Sequence, residues 1–548
     1  MVGAMPVNLI PKFCNGAMDS QNNRQDGELL VDIGSRIKCS EHFATVKYIG
    51  EVQGYKGTWY GVEWDDPARG KHDGSVDGIQ YFKTSGPKSG SFIRPNKIEP
   101  LVTCAEAIKK CYGDKEDEMI AAHRKNVINE WKREMGAPFI EMVGFEKIHQ
   151  KQKLDRLVEV CVHNQNVCSA GDVSALCPGV QVLDLSKNLF CNWREVITLG
   201  GQLPGLCDLD VSNNRMPVDI PQEALAQLSR KFPNLRKINL SHCDYEWSDI
   251  VALSQLWPQL TEMVAAFNQI HRIFPPTDVL SNLSALWLDG NPIKSWGEVL
   301  GLGQLKSLKM LSLNDCAIEE IRFNDVPKEK VDAFENLELL FLNRTKIGDW
   351  RSISELNKLK NLKKLYFLKN PIQAGGDYET TAQLIVAKIG SLQELNGSHL
   401  TPEFRRGAEY DYMKQHGAEW KKAQANEAMK MAFDVEHHRF DELITKYGIP
   451  DDSLLEKQVK NNSLVSSLLQ ITLQDENGTK YVKKFPATMS VSKLVTLAQR
   501  LFAKHGHTGT PNLYCYNEQR KDAEIHLDNI MRDLSYFSVR NGDTILVR

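Results

Sequence analysis

Between residues 157 and 370 apolar side chains return in one spacing, L-x-x-L-x-L-x-x-N, with aliphatic substitutes for leucine. The first unit runs through Leu157, Val160, Val162 and Gln165, and ends at Val167; the second holds Val180, Leu183, Leu185 and Asn188. Later units carry Leu206/Leu209/Val211/Asn214, Leu235/Ile238/Leu240/Cys243, Leu260/Met263/Ala265/Asn268 and Leu283/Leu286/Leu288/Asn291. Three more follow at Leu308/Leu311/Leu313/Cys316, Leu337/Leu340/Leu342/Thr345 and Leu362/Leu365/Phe367/Asn370. The last position of the nine units recurs every 23 to 29 residues. Two apolar residues separated by one polar residue predict a short strand with one buried face. Nine strands at one period predict a stack of identical units.

That period and pattern identify leucine-rich repeats, an α/β solenoid. The leucines of each strand are expected inside, and the asparagine is expected to bond backbone groups that the turn leaves unpaired. Cys243, Cys316 and Thr345 stand at that position as small structural substitutes. The variable strand positions face away from the core, so Trp287 and Tyr366 are the candidate contacts on the concave face. Leu392, Leu395, Asn396 and Gly397, followed by a helical run from Pro402, predict a terminating cap that closes near residue 425.

The flanking sequence changes character. Residues 1–27 show no sustained period and read as a flexible leader. Residues 28–100 are rich in glycine and aromatics with short β-type runs, which predicts a small all-β domain. Residues 101–153, including a helical stretch at 126–134, read as a partly helical connector, and 426–463 as a second, charged one. Within 464–548 the alternation Leu469, Ile471, Leu473, the turn Glu476-Asn477-Gly478, an amphipathic helix with Leu494, Leu497, Ala498 and Leu501, and a last strand at Ile545 and Val547 follow the order of a ubiquitin-like α+β fold. The chain is thus multidomain, with the solenoid at residues 154–425.

Composition narrows the function. A formal net charge of −3 over 548 residues offers no general attraction to nucleic acid or membrane. Twelve scattered cysteines without CxxC spacing, and a beginning without a secretory signal, point to a cytoplasmic setting. Positive charge is local: between residues 69 and 97 six basic residues face two acidic ones, whereas over residues 1–100 the two signs balance at twelve each.

That basic segment contains Gly70-Lys71-His72-Asp73-Gly74, with Gly57-Thr58-Trp59-Tyr60-Gly61-Val62-Glu63-Trp64 before it and Tyr81-Phe82 and Gly90-Ser91-Phe92-Ile93-Arg94-Pro95 after it. In order and spacing these resemble the CAP-Gly domain, except that His72 replaces the usual asparagine of G-K-N-D-G. The resemblance implies binding of a peptide carboxyl end of the type Glu-Glu-Tyr or Glu-Glu-Phe through Trp59, Lys71, His72, Asp73, Phe82, Phe92 and Arg94. Residue chemistry agrees: Trp59, Phe82 and Phe92 are expected to line an apolar slot, with basic groups beside it for carboxylates. The plainer alternative is that aromatics form the small domain's core and lysines its wet rim, which fits Trp64 and Tyr60 best.

No P-loop, HExxH, G-x-S-x-G or dinucleotide fingerprint occurs, so neither catalytic residues nor a cofactor or metal is expected. The pair His437-His438 reads as solvated surface on a charged helix. CAP-Gly, leucine-rich and ubiquitin-like domains in this order resemble the E type of tubulin-folding cofactors. The resemblance implies a non-enzymatic protein that binds α-tubulin and works with tubulin cofactors B, C and D, with the proteasome as a further candidate partner. Two alternatives remain: a microtubule plus-end or lattice adaptor, and a ubiquitin-pathway shuttle. The terminal Val547-Arg548 does not suit a conjugated modifier.

Overall fold

The nine strands pair in parallel, each with the next, from Glu159–Cys161 to Lys364–Tyr366, and the antiparallel pair Glu394–Leu395 and Ser398–His399 completes one 11-stranded sheet. The computed structural model describes residues 24–25, 28–113, 154–449 and 468–548, apart from 277, 324–327, 375–376, 504–508, 517–523, 531 and 538. Two compact units result, one holding the β domain and the solenoid, the other the C-terminal domain.

Register explains the repeat. Leu183, Leu209, Ile238, Met263, Leu286, Leu311, Leu340 and Leu365 sit directly opposite one another across successive strands and are all buried. Buried asparagines tie the turns together: Asn268 Oδ1 accepts from the backbone N–H of Cys243 (3.0 Å) and Tyr245 (3.2 Å), while its Nδ2 donates to the carbonyls of Leu240 (2.9 Å) and Ala266 (3.3 Å). At the substituted positions fewer bonds remain: Cys316 Sγ reaches the Leu288 carbonyl at 3.4 Å, Cys243 Sγ the Val211 and Ser241 carbonyls at 3.5 Å, and Thr345 Oγ1 the Leu342 carbonyl at 3.5 Å and Asn370 Oδ1 at 2.7 Å. The residue before each of these positions turns left-handed, as at Lys187, Asn213, His242, Phe267 and Arg344.

Both ends of the solenoid are closed by segments outside the leucine pattern. Val102–Thr103 pairs in parallel with Val167–Ser169, and the helix Cys104–Tyr112 buries Cys104, Ala107 and Ile108 in the solenoid core behind a Thr103/Glu106 capping box. Part of the expected connector is therefore an amino-terminal cap; the helical stretch at 126–134 lies outside the described residues. At the other end the cap extends past residue 425. Helices Glu427–Glu436 and Phe440–Tyr447 fold back on the last repeats, where Lys388 Nζ donates to Ser354 Oγ (2.9 Å) and the Glu436 carbonyl (2.7 Å), and Arg439 Nη1 to the Ala387 carbonyl (2.6 Å).

This docking corrects the reading of His437 and His438 as surface residues. Both are 6% exposed. His437 Nδ1 meets the Tyr412 hydroxyl at 2.6 Å, and burial pushes His438 down to about 4. The two histidines occupy the turn between these helices, where Tyr412, Phe433 and Phe440 surround His437, and His438 Nε2 lies 3.8 Å from Glu355 of the last repeats.

The β domain is an antiparallel sheet in the order Arg36–Cys39, His42–Val52, Tyr55–Trp64, Gly90–Ile93, over a core of Ile37, Ala44, Val46, Val62 and Trp64. It is seated on the first repeats: Asn166 Nδ2 donates to Glu99 Oε2 at 3.1 Å, and Arg215 pairs with Asp65 at 3.5 Å. In the C-terminal unit five strands run in the order Lys480–Pro486, Leu468–Asp475, Thr544–Val547, Leu513–Tyr516, Ile525–His526. The helix Val491–Phe502 packs Leu494, Ala498 and Phe502 into their core. That mixed sheet with one crossing helix is the expected β-grasp.

Candidate peptide-binding site

Gly61 and Phe92 are directly paired across strands Tyr55–Trp64 and Gly90–Ile93. Side chains two residues apart share a sheet face, so Trp59 lies beside Gly61, and Arg94 follows Phe92 just beyond its strand. Gly61 is required by close approach: a Cβ there would come 2.4 Å from Phe82 Cε1. The space it leaves lets five rings meet. Phe92 stands edge-on to Phe82, Tyr81 and Tyr48, with centroids 5.4, 5.4 and 6.0 Å away, and the His72 ring tilts over it at 5.4 Å.

His72 is held from several sides. Its backbone pairs with Gly90, and its Nδ1 accepts the Gly74 N–H at 3.0 Å. The neutral ring therefore carries its proton on Nε2, and that N–H is the polar edge the ring can offer a ligand. Burial lowers the His72 pKa, Asp73 pulling the other way.

The remaining expected residues divide. Phe82 is buried and forms the floor of the cluster, while Phe92 is half-buried. Lys71 is exposed at the rim, its backbone N–H donating to the Gly90 carbonyl at 2.7 Å. Asp73 closes its own turn: its carboxylate accepts from the Ser75 hydroxyl and backbone N–H, which hold its pKa down. Trp59 makes no ring contact with Phe82 or Phe92; it stands edge-on to Tyr55, and the Arg94 guanidinium lies 3.7 Å over its ring. The site therefore has an aromatic cluster of Phe92, Phe82, His72, Tyr48 and Tyr81, the candidate seat for a terminal aromatic, and beside it a Trp59–Arg94 stack presenting a cation. Tyr48 and Tyr81 were not expected from the sequence. Their signal was positional, since Tyr48 pairs with Gly61 across a bulge in the strands.

On the solenoid, Trp287 and Tyr366 point away from the buried Leu286 and Leu365, as expected. Register puts Val264 beside Trp287 and Phe341 beside Tyr366, and the Phe341 and Tyr366 rings stack at 4.5 Å. Two apolar pairs, Val264–Trp287 and Phe341–Tyr366, thus flank Ser312 along the strands that line the concave side, with the acidic Asp184, Asp208 and Asp210 toward the amino-terminal repeats.

Arrangements of this kind recur in known proteins. Residues 33–98 match the family model of the CAP-Gly domain. Over 529 residues the chain is 35% identical to tubulin-specific chaperone E of Danio rerio, covering 94% of this chain and 98% of that protein. The Xenopus laevis protein of the same name is 36% identical over 526 residues, with the same coverage. Among solved structures, the C-terminal ubiquitin-like domain of mouse tubulin-specific chaperone e is similar to 16% of this chain over 93% of its own length, at 26% identity and a TM-score of 0.14. With relatives this similar along nearly their whole length, the chain belongs to the tubulin-specific chaperone E family.

Proposed function

We propose that this protein is a cytoplasmic tubulin-folding cofactor that acts by binding. Its β domain takes the acidic Glu-Glu-Tyr end of α-tubulin, its solenoid takes the folded body, and it works with cofactors B, C and D in assembling and dissociating the αβ heterodimer. The proteasome is a further candidate partner, through the ubiquitin-like domain. The observation that carries this reading is the 94% and 98% mutual coverage with chaperones of that name. The site chemistry supports it: Phe92, Tyr48 and Tyr81 suit a terminal aromatic, while Lys71, Arg94 and the His72 Nε2–H suit carboxylates. Among the described residues no helix is long and apolar enough to cross a membrane.

Capture from cytosol by the full chain is expected to bring down soluble αβ-tubulin together with the other cofactors. Recovery of polymer alone would favour the lattice adaptor, and proteasome without tubulin the shuttle. Replacing both Trp287 and Tyr366 by alanine is expected to weaken tubulin capture about tenfold or more. Thermal unfolding should change little, since both side chains are only half-buried; unchanged capture would take them out of the contact.

His72 makes peptide binding pH-dependent in a defined direction. In the free protein its pKa lies below the ordinary value, so it is neutral at pH 7.5. Ligand carboxylates favour the charged ring, so binding takes up a proton and tightens as pH falls. Titrating a Glu-Glu-Tyr-ended peptide from pH 7.5 to 5.5 should show this rise in the wild type and a flat profile in His72→Asn; parallel profiles would exclude His72 from the contact.

A further inference from the structure

Where the β domain meets the solenoid there is a cleft of about 360 Å³ whose walls come from both. Phe43 and Asp65 supply the β-domain side, and Lys187, Arg215, His242 and Phe267 the solenoid side. Three features set it apart from an ordinary domain seam.

The first is an exposed aromatic shelf. Phe267 stands at the left-handed position that every rung repeats, with φ of 54°, and its side chain remains 49% exposed. Its ring lies flat against His242, with centroids 4.7 Å apart and 5° between planes. It also lies across Gly290, where a Cβ would come 2.3 Å from Phe267 Cδ1. Neighbouring rungs thus hold an exposed ring in place without burying it.

The second is charge. The acid from the β domain, Asp65, is already engaged by the Arg36 guanidinium through both carboxylate oxygens. Asp65 also lies 3.5 Å from Arg215, and Asp244 is the other acid of the lining, so Arg36, Lys187 and Arg215 outnumber the two carboxylates they face. The third is reach. Phe43 and Tyr48 lie five residues apart on the strand His42–Val52, roughly 17 Å at about 3.3 Å per residue. An extended peptide of about six residues covers that distance.

We propose that the cleft is a second subsite for an acidic peptide whose end occupies the aromatic pocket. Upstream carboxylates pair with Lys187 and Arg215, and the peptide stem lies on the Phe267–His242 shelf. The inference rests on the reading of the β domain as a tail-binding module, and it makes the solenoid a direct contributor to tail recognition.

Three synthetic peptides test it on the full-length chain: a four-residue peptide ending Glu-Glu-Tyr, a twelve-residue peptide with the same end and acidic residues upstream, and the same twelve-residue peptide with the upstream acids replaced by glutamine. The long acidic peptide is expected to bind about tenfold more tightly than either of the others. Lys187→Glu should remove most of that advantage while leaving the short peptide unchanged. Phe267→Gly should also reduce it, with no loss of thermal stability, because glycine accepts the left-handed backbone. Equal affinity for all three peptides, or an advantage that survives in a chain carrying both Lys187→Glu and Phe267→Gly, overturns the subsite and leaves the pocket reading standing. If none of the three binds, the pocket reading falls and the subsite with it.

Discussion

A peptide ending in Glu-Glu is expected to bind at least about a hundredfold more weakly than the same peptide ending in Glu-Glu-Tyr. Burying one aromatic side chain of about 150–250 Å² at roughly 25 cal/mol per Å² yields on the order of 4–6 kcal/mol before costs. Ordering a flexible tail takes back much of this, leaving about 3 kcal/mol, or about two orders of magnitude in affinity. Raising salt should matter less, because the apolar part of the contact is not screened. Phe92→Ala should reproduce the loss for the tyrosine-ended peptide and add little for the truncated one, since both changes remove the same contact. Calorimetry on the four combinations decides the matter: equal affinity for the two peptides in the wild type removes the pocket.

The second large effect lies in the solenoid. Asn268→Ala removes both acceptor and donor from four backbone groups in a buried setting. The Ala266 carbonyl keeps the His242 N–H, so three groups lose their partner, and at about 1–3 kcal/mol for each the expected loss is about 3 kcal/mol or more. Cys316→Ala removes one weak sulfur contact and a little volume, and should cost about 1 kcal/mol. Urea unfolding followed by circular dichroism measures both. A loss at Asn268 no larger than at Cys316 would mean that the asparagine ladder does not hold the turns.

What could be read in the sequence, and what could not, follows from how each feature repeats. The leucines and asparagines were legible because a stack imposes the same burial at the same position in every rung, as at Leu286 and Asn291. The closing segments were not, because Val102–Thr103 and the helices after residue 425 occur once each and carry no period. His437 and His438 lie among charged neighbours, and only the packing of the helices on either side of them reveals their burial. In the peptide site the motif residues were legible by resemblance, but their grouping was not. Composition could not say that Arg94 covers Trp59, or that Tyr48 and Tyr81 complete the pocket around Phe92. Those are matters of strand register, fixed by pairings such as Gly61 with Phe92.

The amino-terminal closure bears on how the protein is made. Val102–Thr103 and the helix Cys104–Tyr112 precede every repeat in the chain, so during synthesis the lid of the solenoid leaves the ribosome before the core it covers. Each new rung can dock on a finished surface behind it. The hydrophobic front stays open only on the side still growing, until the helices after Thr401 arrive to seal it. A nascent chain built in this order carries one exposed edge at a time, and the most vulnerable moment in its biogenesis is the interval between the last repeat strand, Lys364–Tyr366, and that seal.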